Sequence, residues 1–159
     1  MSTVSDNGST DPRIGALLRA AHKVVYGTVY ERTAAAGYPE LHPAHFRLLQ
    51  FPGVDGVRPT ELARSLATSK QAINPLLNDL DRWGYITREP GHQDGRGRVI
   101  RLTNRGHKLM RTIRSIHAQI ESDWAKRLGP RKFQSLRDAL DQITQQHPFD
   151  NHRLPSAPR

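Results

Sequence analysis

Residues Ser69 to Thr103 read SKQAINPLLNDLDRWGYITREPGHQDGRGRVIRLT, and their reading decides the fold. Ile73, Leu76, Leu77 and Leu80 recur at three and four, which predicts a helix with one apolar face. Lys70, Gln71, Asn74 and Asn78 share the opposite face of that helix. All four side chains can donate hydrogen bonds to phosphates or base edges, and none needs a buried partner. After Trp83-Gly84, Tyr85 to Arg88 reads as a strand and Arg98 to Leu102 as its partner, with Ile100 and Leu102 on one face. The intervening EPGHQDGRG carries Pro, Gly and an Asp-Gly pair, which are turn signals, and is long enough for its tip to reach outward. A polar-faced helix followed by an arginine-tipped hairpin reads as a DNA-binding element.

Upstream, PTELARSL from Pro59 predicts a helix with Leu62, Ala63 and Leu66 inward, joined to the next by Ala67-Thr68. Two short helices separated by so tight a turn form a helix-turn-helix pattern. A helix from His42-Pro43 with Phe46, Leu48, Leu49 and Phe51 precedes them, and residues 52–57 read as a loop. Earlier still, Asp11 as cap and Pro12 at the first helical position open a helix striped by Ile14, Leu17, Leu18, Ala21, Val24, Val25 and Val29. Downstream, Leu109, Ile113, Ile116, Ile120 and Trp124 predict a long helix that Gly129-Pro130 breaks. Phe133, Leu136, Leu140 and Ile143 form the seam of a last helix. The expected fold is mainly α with a small β-hairpin wing: a winged helix-turn-helix plus a helical region drawn from both termini. Residues 1–10 read as a disordered arm, 11–38 as an N-terminal helix, 41–103 as the DNA-binding region, 104–146 as C-terminal helices and 147–159 as a flexible tail.

Composition supports a polyanionic partner. Among 159 residues, 24 Lys and Arg oppose 15 Asp and Glu, a formal charge of +9. Apolar residues make up 36% and mean hydropathy is −0.67, so the core should be thin and three long apolar stripes exceed what one small winged domain can cover. There is no cysteine, which excludes thiol switches, thiolate zinc sites and disulfides. No basic start with an apolar run opens the chain, and no stretch reaches the 18 or so apolar residues of a membrane span. A cytoplasmic protein is expected, without membrane association.

The order of these elements resembles the MarR family of bacterial winged helix-turn-helix regulators. The residues that carry the resemblance are Glu61-Leu62-Ala63, Ser69-Lys70-Gln71-Ala72, Gly84-Tyr85-Ile86 and above all the wing DGRGRVIRLTNRG, Asp94 to Gly106. That last stretch looks like the family's Asp-x-Arg wing, its Leu-Thr and the glycine three residues on. The resemblance covers residues 12–146. It implies a homodimer on a near-palindromic duplex, with the terminal helices as the dimer interface, explaining the stripes from Ile14, Leu109 and Phe133. Two recognition helices would then stand about 34–36 Å apart.

The DNA-binding residues expected are Ser69, Lys70, Gln71, Asn74, Asn78, Arg96 and Arg98. Gln and Asn can pair two-pronged with adenine, for about 1–3 kcal/mol of discrimination each. Arg96 and Arg98 suit phosphate or the minor groove. Asp94 would be repelled by phosphate and orients an arginine, as the family's matching Asp implies. Ser69 or Thr68 is the helix cap. Pro75 deprives the Gln71 carbonyl of its donor at a cost of about 3 kcal/mol. A continuous helix with a local bend near Gln71 is expected; the alternative is a short helix capped by Asn74. Arg105, Lys108, Arg111 and Arg114 wind a basic strip along the long helix, open to three readings: phosphate contact, a pocket for an anionic small-molecule effector, or a solvated face. The glycine-rich wing lacks the Lys-Ser or Lys-Thr ending of a nucleotide loop. The eight histidines, His42 and His45 included, complete no metal site, and no catalytic constellation stands out. No cofactor and no enzymatic activity are expected, and the regulator is read as a ligand-responsive repressor. A protein- or RNA-binding winged module and an architectural DNA binder are the alternatives.

Overall fold

The structure, a computed structural model, describes residues 12–50, 54–90 and 97–146. Six helices and one hairpin follow in order: α1 (Ile14–Ala35), α2 (Pro43–Gln50), α3 (Pro59–Ser65), α4 (Lys70–Arg82), β1 (Ile86–Pro90), β2 (Arg98–Leu102), α5 (Asn104–Leu128) and α6 (Pro130–Gln146). The strands are antiparallel, with Ile86 opposite Leu102 and Pro90 opposite Arg98. This is the mainly α, winged arrangement expected from the sequence.

The start of α1 differs. Helical geometry begins at Ile14 and Arg13 occupies the cap position with no side-chain bond, so Pro12 is not the first helical residue. Asp11 lies outside the described residues, as does Phe51. The other starts follow local chemistry. Pro59 opens α3, where the Glu61 carboxylate accepts from the Arg58 N–H at 3.0 Å. Ser69, not Thr68, caps α4, its hydroxyl accepting from the Ala72 N–H at 3.1 Å. His45 takes the corresponding role in α2, its Nδ1 accepting from the His42 N–H at 3.0 Å.

The connection between α3 and α4 is made by Ala67 at φ 49°. Its N–H donates to the Arg64 carbonyl and that of Thr68 to the Ala63 carbonyl, both at 3.0 Å, closing α3 with a left-handed residue that is not glycine. Gly84 does the same for α4 at φ 74°, with the Tyr85 N–H donating to the Leu80 carbonyl at 2.8 Å. That closure turns the chain from helix directly into β1.

The core lies where α2, α3, α4 and the hairpin meet the base of α5. Phe46, Leu48, Leu49, Leu62, Ile73, Leu77, Leu80, Tyr85, Ile86 and Ile100 are buried there. Residues 54–57, expected to be plain loop, are stitched to the hairpin instead. The Gly56 N–H donates to the Ile100 carbonyl at 2.8 Å and the Ile100 N–H to that of Val57 at 2.9 Å. Asp55 Oδ1 accepts from the Leu102 N–H at 2.9 Å. The turn before α3 thus fixes the far edge of the wing.

The three apolar stripes have different fates. Leu109, Ile113, Ile116 and Ile120 of α5 are buried within the chain, where α5 packs on α1, so this stripe needs no second subunit. The first half of α1 and the seam of α6 do stand open: Ile14 is 70% exposed, Val24 56% and Ile143 56%.

Candidate nucleic-acid interface

Lys70 and Gln71 open α4 one and two residues after its cap, and they, with Asn78, are exposed; Asn74 is half-buried. The four expected side chains therefore do share the outer face. Ser69 is exposed, but its hydroxyl is engaged by the Ala72 N–H. The helix is continuous through Pro75, which excludes the short helix capped by Asn74. Pro75 and Gln71 both lie on the exposed face, so the carbonyl that loses its donor is one that water or a ligand can reach.

Beside this face runs a cleft of about 460 Å³ between the starts of α3 and α4 and the tip-side half of the hairpin. Arg58, Lys70, Asn74, Arg88 and Arg98 line it together with Thr60, and among the described residues no acidic side chain lines it. Asp81 partly balances Arg88, and the remaining cations around the concavity repel each other, a repulsion that an anion relieves. Arg98, exposed at the start of β2, is thus brought to the recognition helix. Arg96 and Asp94 lie outside the described residues.

Arg58 and Arg88 were not among the residues expected from the sequence. Arg88 follows Ile86 by two in β1 and so falls on the strand's inward face. Its Nη2 donates to Asn78 Oδ1, and its Nε lies 3.6 Å from Asp81 Oδ2, an ion pair too long for a hydrogen bond. A lone arginine two residues from a buried isoleucine was the available signal, since an inward cation requires partners. Arg58 had none beyond its place before Pro59.

At the other end of the hairpin, Tyr85 is buried and its hydroxyl donates to Glu40 Oε1. Arg105 donates to the same oxygen at 3.0 Å and to the Tyr85 hydroxyl at 3.2 Å, with its guanidinium 4.7 Å from the ring centre. Burial pushes the Tyr85 hydroxyl up to about 12, and Glu40 adds to the rise. Burial also works against ionised Glu40, but the bonds from Tyr85 and Arg105 outweigh it and hold the carboxyl below its ordinary range. Thr103 caps α5, its hydroxyl accepting from the Gly106 N–H at 3.0 Å and donating to the Gly84 carbonyl at 2.6 Å. Gly106 itself is wedged under the hairpin: a Cβ there would stand 2.1 Å from the Tyr85 carbonyl oxygen.

The basic strip on α5 is split by this junction. Arg105 is committed to Glu40 and Tyr85, and Arg114 is exposed. Lys108 and Arg111 face Arg32 of α1 across a second cleft of about 600 Å³, which also holds Thr112 and Ser115. Arg32 is shared with Asp123 at 3.2 Å. Among the described residues no group of three or more His, Asp or Glu is arranged to hold a metal ion, and no helix is long and apolar enough to cross a membrane.

Residues 40–97 match the sequence model of the MarR family. No curated protein matches the chain. Among solved structures, the reduced form of MarR from E. coli is similar with a TM-score of 0.71 at 20% identity, over 84% of this chain and 97% of that one. The transcriptional repressor CouR bound to a 23-mer DNA duplex gives 0.64 at 23% identity, over 82% and 92%. A MarR-family protein of Mycobacterium tuberculosis in complex with salicylic acid gives 0.61 at 24% identity, over 84% and 98%. At such identities the likeness is one of fold.

Proposed function

We propose, from the match of residues 40–97 to the MarR family, that the protein is a homodimeric repressor of transcription, reading a near-palindromic operator and releasing it on binding a small molecule. MarR-family proteins are DNA-binding transcriptional regulators and not enzymes. The observation that carries the reading is the cleft lined by the cations Arg58, Lys70, Arg88 and Arg98 beside the exposed face of α4. A duplex offers both things this surface suits: phosphates for the cations and base edges for Gln71, Asn74 and Asn78. Arg96 and Asp94, at the tip of the wing, extend the same surface in this reading, Arg96 on phosphate or in the minor groove and Asp94 orienting an arginine.

The effector proposed is anionic. Lys108 and Arg111 opposite Arg32 give its cleft a positive lining next to hydroxyl donors, the chemistry a small carboxylate requires. CouR bound to a duplex and the salicylic acid complex are counterparts of the two halves of this proposal. An effector acts on the DNA-bound state only through a difference in its affinity for two arrangements of the lobes.

Fluorescence anisotropy against the DNA upstream of the protein's own gene, with a random duplex at matched salt, tests the reading. Preference for the upstream duplex is expected, with Arg96→Ala and Arg98→Ala each weakening binding and flattening the salt slope by about 0.9. Equal affinity for both duplexes would make the protein an architectural binder, and no binding at all would leave a protein- or RNA-binding module.

A further inference from the structure

The cleft beside α4 is walled from two helix starts and both strands: Arg58 and Thr60 at α3, Lys70 and Asn74 on α4, Arg88 on β1 and Arg98 on β2. Its cations stand at two depths. Lys70 and Arg98 are exposed at the rim, while Arg58 and Arg88 are half-buried, the Arg88 side chain only 22% exposed. Arg88 has Asn78 and Asp81 as partners. Among the described residues no carboxylate pairs with Arg58, Lys70 or Arg98. The cleft therefore keeps a surplus of positive charge after Asp81 is set against Arg88, and Thr60 and Asn74 add neutral donors beside it.

Depth separates two kinds of anion. A duplex carries its phosphates along a convex cylinder, so they meet the rim cations first. A compact polyanion enters the concavity and meets rim and inner cations together. The volume of about 460 Å³ falls within the roughly 300–1,000 Å³ of small-molecule sites. A single carboxylate leaves most of the surplus charge unbalanced, whereas linked phosphates bring several charges and many accepting oxygens, which guanidinium forks match in pairs. We propose that this cleft binds a short chain of linked phosphates, free or at the end of a nucleotide, and that its occupancy excludes DNA by direct competition for Lys70 and Arg98. This rests on the DNA-binding reading given above and adds a regulation of that same surface. It differs from the effector cleft of Arg32, Lys108 and Arg111, which lies between α1 and α5 and acts through the arrangement of the lobes.

Calorimetric titration of the full chain with inorganic tripolyphosphate, free of DNA and divalent cations, tests the site. Saturable binding of one anion per chain is expected. Arg58→Gln and Arg98→Gln should each weaken it by about tenfold, the loss of a charge-assisted bond. Lys108→Gln combined with Arg111→Gln, in the other cleft, should leave it unchanged. ATP separates the two sources: an affinity no higher than that of tripolyphosphate assigns the site to the phosphate chain alone, and a higher one assigns it to a nucleotide. In anisotropy, tripolyphosphate should release the upstream duplex where sodium sulfate of equal ionic strength does not. Uptake that never saturates, binding that survives both arginine variants, loss in the Lys108 and Arg111 variant, or release matched by sulfate each overturns the proposal. Should Arg58→Gln fail to fold, Arg98→Gln at the exposed start of β2 decides alone. Duplex affinity without any phosphate is read separately. A protein that binds no duplex defeats the DNA-reading function itself; one that binds its duplex but has no saturable anion site defeats this inference and leaves that function standing.

Discussion

Ala67 holds the turn of the helix-turn-helix at φ 49°, a conformation that costs an ordinary L-residue about 1–2 kcal/mol. Glycine removes that cost but gains about 0.4–1 kcal/mol of freedom in the unfolded chain. Ala67→Gly should therefore stabilise the protein by about 0.5–1 kcal/mol, read as a higher midpoint of urea denaturation. His45 makes a different prediction. It is buried against Trp83, with Nδ1 engaged by the His42 N–H and Nε2 3.5 Å from Asp79, which is itself paired with Arg82. Burial lowers its pKa from 6.5; Asp79 opposes this, and the charge of the His42 ring adds to it. The folded state thus prefers the neutral ring, so stability is complete above about pH 6.5 and declines as pH falls below it, where the unfolded chain takes up the proton first. Denaturation midpoints between about pH 5 and pH 8 should show that decline, and His45→Gln should reduce it, since glutamine can still accept the His42 N–H. A slope that persists unaltered in the variant would assign the pH dependence to other groups.

At the scale of elements, each helix and strand was legible where local chemistry acts alone. The Ser69 cap, the Pro59, Pro43 and Pro130 starts and the Gly84 stop all follow from residues adjacent in sequence. The Arg13 start of α1, with no side-chain cap, did not follow, because Asp11-Pro12 offered a better local signal than the chain uses. Nor did the stitch from residues 56–57 to Ile100, a contact across more than forty residues that no periodicity encodes. The candidate site divides in the same way. Lys70, Gln71 and Asn78 were visible from the period of one helix, whereas Arg58 and Arg88 join the cleft only when three elements meet. The glycine of the wing motif, known from the sequence only as part of a pattern, has a steric reason at Gly106. Its α-carbon lies so close to the Tyr85 carbonyl that Gly106→Ala must part α5 from the hairpin, at a cost of about 3 kcal/mol, the upper end for overpacking. Thermal denaturation should show it as a lowered midpoint, and a near-neutral result would mean the α5 base can slide.

Across the whole molecule, burial sorts the surfaces by what they must meet. The α5 stripe is satisfied within the chain, while Ile14, Leu17, Leu18 and Val24 of α1 and Leu136, Leu140 and Ile143 of α6 remain open, too many large apolar side chains on two helices to be left in water. A second copy of the chain covers them in the proposed homodimer. Leu140→Asp with Ile143→Asp should then yield monomers by light scattering and lose most operator affinity with the winged region still folded; a dimer that survives would place the interface elsewhere. The junction under the hairpin limits how such a dimer can move. Arg105 on Glu40 and Tyr85, Thr103 on Gly84 and the wedge of Gly106 clamp the first turn of α5 to the winged lobe. Mechanically this joint is a weld: α5, about 37 Å long at 1.5 Å per residue, turns with the lobe as one lever. In the proposed homodimer a change of lobe spacing would then turn about the lever's other end, at the Gly129-Pro130 corner, where a few degrees of rotation become ångströms at the DNA.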